Sequence, residues 1–299
     1  MIIMPGLDPG IHRANGPAGM AAPFTRNAKP MGQAKLKRQA HAAILADHSG
    51  CIYCAGANAA TTIEHMPPIS VFEGRQRPKG FEFPACRPCN NGTSHSDLVA
   101  AMLARIWPDA DTEIQKKDVK KLLSAIANNI PRLLHEMNVG RASEKLARKR
   151  HNLPTDAHPM RADGPLLTHH LHTFAAKFGF ALHYEVNGEP VPAAGGVQVM
   201  WFSNVQALND QIPQMLIDVL PSPSTLRQGA KSVAEQFKYS YITAERDHLL
   251  YLASFNKSFA VAGITAMDRT LYLEEYSDRF PIFKPGDFIA KPVGWTSAA

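Results

Sequence analysis

The sequence predicts an α+β protein: a small strand–loop–strand–helix module, then helices, then an α+β domain with antiparallel strands. Three observations predict it. All four cysteines fall in two Cys-x-x-Cys pairs, Cys51/Cys54 and Cys86/Cys89. They lie about thirty residues apart, a spacing at which two such knuckles hold one tetrahedral zinc. Apolar residues at helical spacing follow at Leu98, Met102, Leu103 and Ile106 and return between Lys117 and Met137. Beyond residue 160, an apolar helical run is succeeded by three strand-like segments separated by polar turns.

The elements follow in order. Residues 1–30 are rich in Pro, Gly, Ala and Asn with no apolar periodicity, which predicts a disordered tail, and Met31 reads as an alternative start. Gln33 to Asp47 favours a short basic helix leading into Cys51. Thr61–Glu64 is a strand, Arg75–Gly80 a polar loop with Pro78, and Phe81–Phe83 a second strand. Asn90, Asn91, Gly92, Thr93 and Ser94 favour a helix start, and Pro108 ends the helix that follows. The amphipathic pattern from Lys117 to Met137 breaks at Pro131 and continues into a basic stretch ending at Arg150. Pro154, Pro159, Gly164 and Pro165 mark a boundary. Past it, Leu166–Tyr184 predicts an apolar helix, Val197–Phe202 a strand, and Ala207–Leu220 a weaker helix carrying Pro213. Phe237–Ile242, Leu249–Ser254 and Ser258–Ile264 predict three antiparallel strands. The expected organisation is a tail over 1–30, a module over 31–110, a basic helical connector over 111–160 and an α+β domain over 161–299.

Composition excludes some classes. A hydrophobic content of 45% with 19% charged residues is ordinary for a soluble globular chain. No stretch reaches the roughly 18 uninterrupted apolar residues of a membrane span. The N-terminus lacks the basic-then-apolar pattern of a secretory signal. The expected compartment is the reducing cytoplasm, where cysteine pairs hold metal more often than they form disulfides. The formal charge of +6 is concentrated. Between residues 115 and 150 stand ten Lys/Arg, including Lys116, Lys117, Lys120 and Lys121, against Asp118, Glu136 and Glu144, so the rest of the chain nets −1. Such a block suits a phosphate backbone, although charge runs are more often solvated helix faces.

Between the knuckles lies Ile63-Glu64-His65-Met66-Pro67-Pro68, and Cys89 is followed by Asn90. Over these roughly fifty residues the chain resembles the HNH endonucleases, the ββα-metal nucleases, whose four-cysteine members run Cys-x-x-Cys, Asp/Glu-His-x-x-Pro, Cys-x-x-Cys-Asn/His. The resemblance implies a metal-dependent DNA endonuclease leaving 3′-OH and 5′-phosphate ends. It implies His65 as the general base that deprotonates the attacking water. It further implies Glu64 and Asn90 as ligands of a catalytic Mg²⁺ or Mn²⁺, and the cysteines as a separate structural zinc site. Adjacent strand residues face opposite ways, so Glu64 and His65 share a site only if the strand ends there, which Pro67 and Pro68 favour. The chain departs from the family in carrying Glu for the commoner Asp, Asn at the last position, and no middle Asn before Cys86, where Glu82 is the nearest substitute. His95 and Asp97 are reserve ligands.

The alternative is a zinc-stabilised nucleic-acid-binding module without catalysis, which the missing Asn favours. DNA is the expected partner, and nothing in the pattern separates it from RNA. A homodimer or a protein partner would use the C-terminal domain, whose role the sequence does not give. Asn90 and Asn91 also suit helix caps. The His169, His170 and His172 cluster and the aromatic set Phe174, Phe178, Phe180 and Tyr184 read as ordinary helix and core residues.

Overall fold

A computed structural model describes residues 2–4, 33–106, 112–153, 158–208, 211–244, 248–278 and 280–289. Strand β1 (Ile2–Met4) is followed by helix α1 (Gln33–Asp47) and strands β2 (Thr62–His65) and β3 (Glu82–Ala85). Helices α2 (Arg87–Gly92), α3 (Ser94–Arg105), α4 (Glu113–Asn129), α5 (Pro131–Met137) and α6 (Arg141–Arg150) come next. Then follow β4 (His158–Met160), the long α7 (Pro165–Asn187), β5 (Gly196–Ser203), α8 (Asn204–Leu208) and α9 (Gln214–Asp218). The remainder is β6 (Arg227–Gln228), β7 (Lys231–Ser232), β8 (Phe237–Ala244), β9 (His248–Phe255), β10 (Phe259–Ala266), α10 (Arg269–Tyr272) and β11 (Ile282–Phe283). The chain is α+β, as its sequence predicts. Among the described residues, no helix is long and apolar enough to cross a membrane.

A five-stranded antiparallel sheet, in the order β11-β5-β10-β9-β8, lies beneath α7. Strand β9 alternates, with Leu249, Tyr251, Ala253 and Phe255 buried and the residues between them partly exposed, whereas the central β10 is buried along nearly all its length. The buried set meets α7 through Phe174 on Phe255 (ring centroids 5.3 Å apart) and Phe178 on Tyr251 (5.6 Å). Close approach depends on Gly179, where a Cβ would stand 2.6 Å from Val197 Cγ1 and 2.9 Å from Tyr251 Oη. Tyr251 Oη uses that notch to donate to Ala175 O at 2.7 Å.

The cysteine module covers the other side of α7. One hydrophobic cluster runs from Ile52, Met66, Phe72 and Phe83 through Val99, Met102 and Leu103 to Leu171, Phe178 and the sheet. The expected module and C-terminal segment therefore share a core. Residues near the C-terminus close it from outside: Gly286 N donates to Tyr53 O at 2.9 Å, and Phe288 packs on Tyr53 and Phe180.

Two expectations change. Ile2–Met4, placed in the disordered tail, pairs as a strand with His158–Met160; the rest of that tail lies outside the described residues. The single helix expected over Ala207–Leu220 is instead α8 and α9, because Pro213 caps the second and cannot sit inside a continuous helix. The expected break at Pro131 is present: α4 ends at Asn129 and Pro131 opens α5 at its first position. Pro108, the expected helix stop, lies outside the described residues, and α3 ends at Arg105.

A candidate zinc centre and the hairpin it supports

The four cysteines converge. Their sulfur atoms lie within 4.8 Å of one another, and all four residues are buried. Cys51 and Cys54 flank the 3-10 turn Ile52–Cys54, while Cys86 caps α2 and Cys89 sits one turn inside it. A short turn before β2 and the first turn of α2 after β3 thus present their thiols to a common point. The Cys89 thiol, donating to Cys51, holds that group down at about 5, while Cys89 itself is pushed up. Asn58 Nδ2 donates to Cys54 Sγ at 3.6 Å, an outer hydrogen bond of the kind that orients a metal-bound thiolate. Soft sulfur donors in this number fit zinc.

The hairpin β2–β3 stands on this knot, with His65 opposite Glu82 and Glu64 opposite Phe83. Its alternation is retained, so the residues expected to act together diverge. Glu64 is buried and points toward α7, where Lys177 Nζ lies 3.0 Å from its carboxylate. The same ammonium lies 2.6 Å from Asp97 on α3. Burial works against the Lys177 charge, but Asp97 and Glu64 outweigh it and hold the lysine protonated. Burial pushes the Asp97 carboxyl up to about 7 against the pull of Lys177. Tyr53 Oη and Asp97 Oδ1 are buried beside this group with no hydrogen-bond partner among the described residues.

Asn90 reaches the Glu64 side of the strand but donates to Thr62 Oγ1 at 3.2 Å, and Thr62 Oγ1 donates to Ala85 O. Here the tie holds α2 to the hairpin. Glu64 and Asn90 therefore do not stand as a ready divalent-ion site: a lysine ammonium already occupies the carboxylate's cation position. The two prolines come one residue too late to turn Glu64 and His65 to one side, because β2 stays regular through His65.

His65 lies on the outer face. Its side chain is 22% exposed, as is that of Glu82, and His65 Nε2 stands 3.8 Å from Glu82 Oε1. Glu82 thus stands directly across the hairpin from the histidine. Burial and the Arg77 guanidinium hold His65 below its ordinary value, with Glu82 and Glu64 pulling it up. Arg77 spans the loop between the strands, donating to the carbonyls of Met66, Pro67, Pro78, Gly80 and Phe81. Helix α1 packs over the same face and brings His41, whose ring centroid is 6.4 Å from that of His65.

The other candidates lie elsewhere. His170 is fully buried with Nδ1 3.1 Å from Ser96 Oγ, His169 packs on it, and His95 is near enough to depress it further. Among the described residues, only the cysteines form a metal-ligand group. Lys117, Lys120 and Lys121 are exposed on α4, whereas Lys116 pairs with Glu113 at 3.1 Å. Helix α6 has no buried residue and carries Arg141, Lys145 and Lys149 at four-residue intervals, all exposed.

Sequence reasoning missed Lys177 and His41. A lone lysine inside Phe174-Ala-Ala-Lys-Phe-Gly-Phe was a usable signal, because a buried ammonium demands a buried carboxylate. Nothing in the Gln33–Asp47 pattern says which surface that helix covers. Comparisons with protein-family models, with curated proteins and with solved structures find no match to this chain.

Proposed function

We propose that this chain is an HNH-type endonuclease in which a zinc-stapled hairpin presents His65 as general base to a phosphodiester. The observation that carries the reading is the pairing of four convergent thiols with a partly exposed histidine kept neutral at pH 7 by burial and Arg77. A neutral imidazole accepts the proton of a water as its oxygen attacks phosphorus, and the P–O3′ bond then breaks to leave 3′-OH and 5′-phosphate ends. DNA is the proposed substrate, held along the exposed cations of α4 and α6 by its phosphates. Mg²⁺ or Mn²⁺ at Glu64 and Asn90 would require Lys177 to leave Glu64.

The Lys177–Glu64 pair favours a second reading, a zinc-stabilised binding module without catalysis. One experiment separates the two. Supercoiled plasmid is incubated with zinc-loaded protein and with His65→Ala, with and without Mg²⁺ or Mn²⁺. Nicking by the wild type that His65→Ala loses supports the nuclease. Retardation of the DNA by both proteins with cleavage by neither supports the binding module.

A further inference from the structure

We propose that the cavity between α5, α6 and β4 takes one unpaired base of a nucleic-acid strand whose phosphates run along α6. The inference rests on the nucleic-acid reading of this chain and names the form of substrate it grips.

It starts from a helix without a core. None of the ten residues of α6 is buried, and Leu146 is 66% exposed. A helix of fewer than about 12 residues is marginal in water unless one face is packed. The ties that hold α6 are polar: Glu144 pairs with Arg148 one turn on and lies 3.0 Å from His158 Nδ1 of β4. Five cations stand on the helix against that single acid. Their mutual repulsion is relieved when a polyanion lies along them.

The ground beside α6 has two parts of different chemistry. One is a cavity of about 210 Å³ walled by Leu134, Met137, Val139, Pro159 and Met160, with Asn138, Glu144 and His158 completing its lining. The other, a wider hollow of about 710 Å³, meets the first at Glu144 and is lined by Arg141, Lys145, Arg148 and Lys149. The smaller cavity lies below the roughly 300 Å³ at which sites for drug-sized ligands begin, so its scale is that of one flat ring system. Apolar walls receive the faces of a base, and Asn and Glu are side chains that hydrogen-bond base edges.

Neither part alone names the ligand, but together they do. A bare phosphate has no use for the apolar walls. A base stacked inside a duplex cannot reach them. From Arg141 to Lys149 the cations extend over about 12 Å of helix, longer than one phosphate requires. A strand with an unstacked base satisfies both parts, and a free nucleotide satisfies only the first.

The test is binding, read by fluorescence anisotropy on the zinc-loaded full chain without Mg²⁺ or Mn²⁺. Three probes share one duplex: blunt, carrying a single-stranded extension, and carrying the same extension with abasic sugars, which keeps every phosphate. The wild type should bind the base-bearing extension about 10-fold more tightly than the abasic one. Val139→Trp, which fills the cavity from a half-buried position, should erase that preference at an unchanged salt slope. Replacing Lys145 and Lys149 with glutamine should weaken both extended probes alike and lower the slope of log affinity against log salt by about 2. Equal affinity of the wild type for the two extensions would overturn the inference, a comparison that requires no variant. A preference that survives Val139→Trp would overturn it too, as would displacement of the strand by an equal concentration of nucleoside monophosphate. If all three probes bind equally, the nucleic-acid reading stands and the base cavity falls. If none binds at low salt, that reading fails and this inference fails with it.

Discussion

Replacing Lys177 with methionine would keep the apolar stem of the side chain and remove only the ammonium between Glu64 and Asp97. The lysine is fully buried and the Glu64 side chain is 7% exposed, so no water repairs the loss. Removing one partner of a buried ion pair costs about 3–5 kcal/mol. The cost depends on pH. The Asp97 carboxyl binds its proton more tightly in the folded chain than in the unfolded one, a contribution full below the ordinary Asp range and lost as pH rises through about 7. Without Lys177 it is pushed higher still. At pH 5.5 Asp97 carries its proton with or without Lys177, whereas at pH 8.5 the wild type ionises it and the variant must either keep it protonated or bury its charge unpaired, an added cost. With a urea slope of about 3 kcal/mol per molar, the midpoint falls by about 1–1.7 M, and by more at pH 8.5 than at pH 5.5. Far-UV circular dichroism against urea at both pH values reads this. An unchanged midpoint would refute the clamp, as would an equal loss in a Glu64→Gln background, where no charge remains at position 64 to strand.

Metal analysis should find about one tightly held zinc per chain, and Cys86→Ser should release it and unfold the hairpin; protein purified with no metal would contradict the centre. Glu82 raises the His65 imidazole against burial and Arg77. The acid limb of the cleavage profile should accordingly lie below the ordinary imidazole range, and Glu82→Gln should move it lower still; an upward move would remove Glu82 from the site. Exposed Lys117, Lys120 and Lys121 are expected to contact phosphates, so replacing all three with glutamine should reduce the slope of log affinity against log salt by about 2–3. An unchanged slope would place the DNA elsewhere.

Much of the fold is written locally. Strand β9 announces itself by alternation, β10 by a short apolar run, and α7 by an apolar run closed by Gly188 in the left-handed region. The cysteine spacing implied a shared ion, and the sulfurs do meet. What the sequence hides is long-range. The strand pairings of Ile2–Met4 with His158–Met160 and of Ile282–Phe283 with β5 join segments far apart in the chain, with too few residues to show a period. Motif order could not say that Glu64 would turn inward to a lysine more than a hundred residues away, because motif order carries no facing. The pleat decides that, sending Glu64 to the core and His65 to the outer face. Glu82 was recognisable only as a substitute for an absent Asn, and pairing of the strands puts it opposite His65.

Single-turnover cleavage of a duplex oligonucleotide by zinc-loaded wild type and His65→Ala tests the central claim most directly. The account predicts scission with 5′-phosphate ends by the wild type and a rate at least about 100-fold lower for the variant at unchanged zinc content. Equal rates would contradict it, and so would duplex left intact by the wild type.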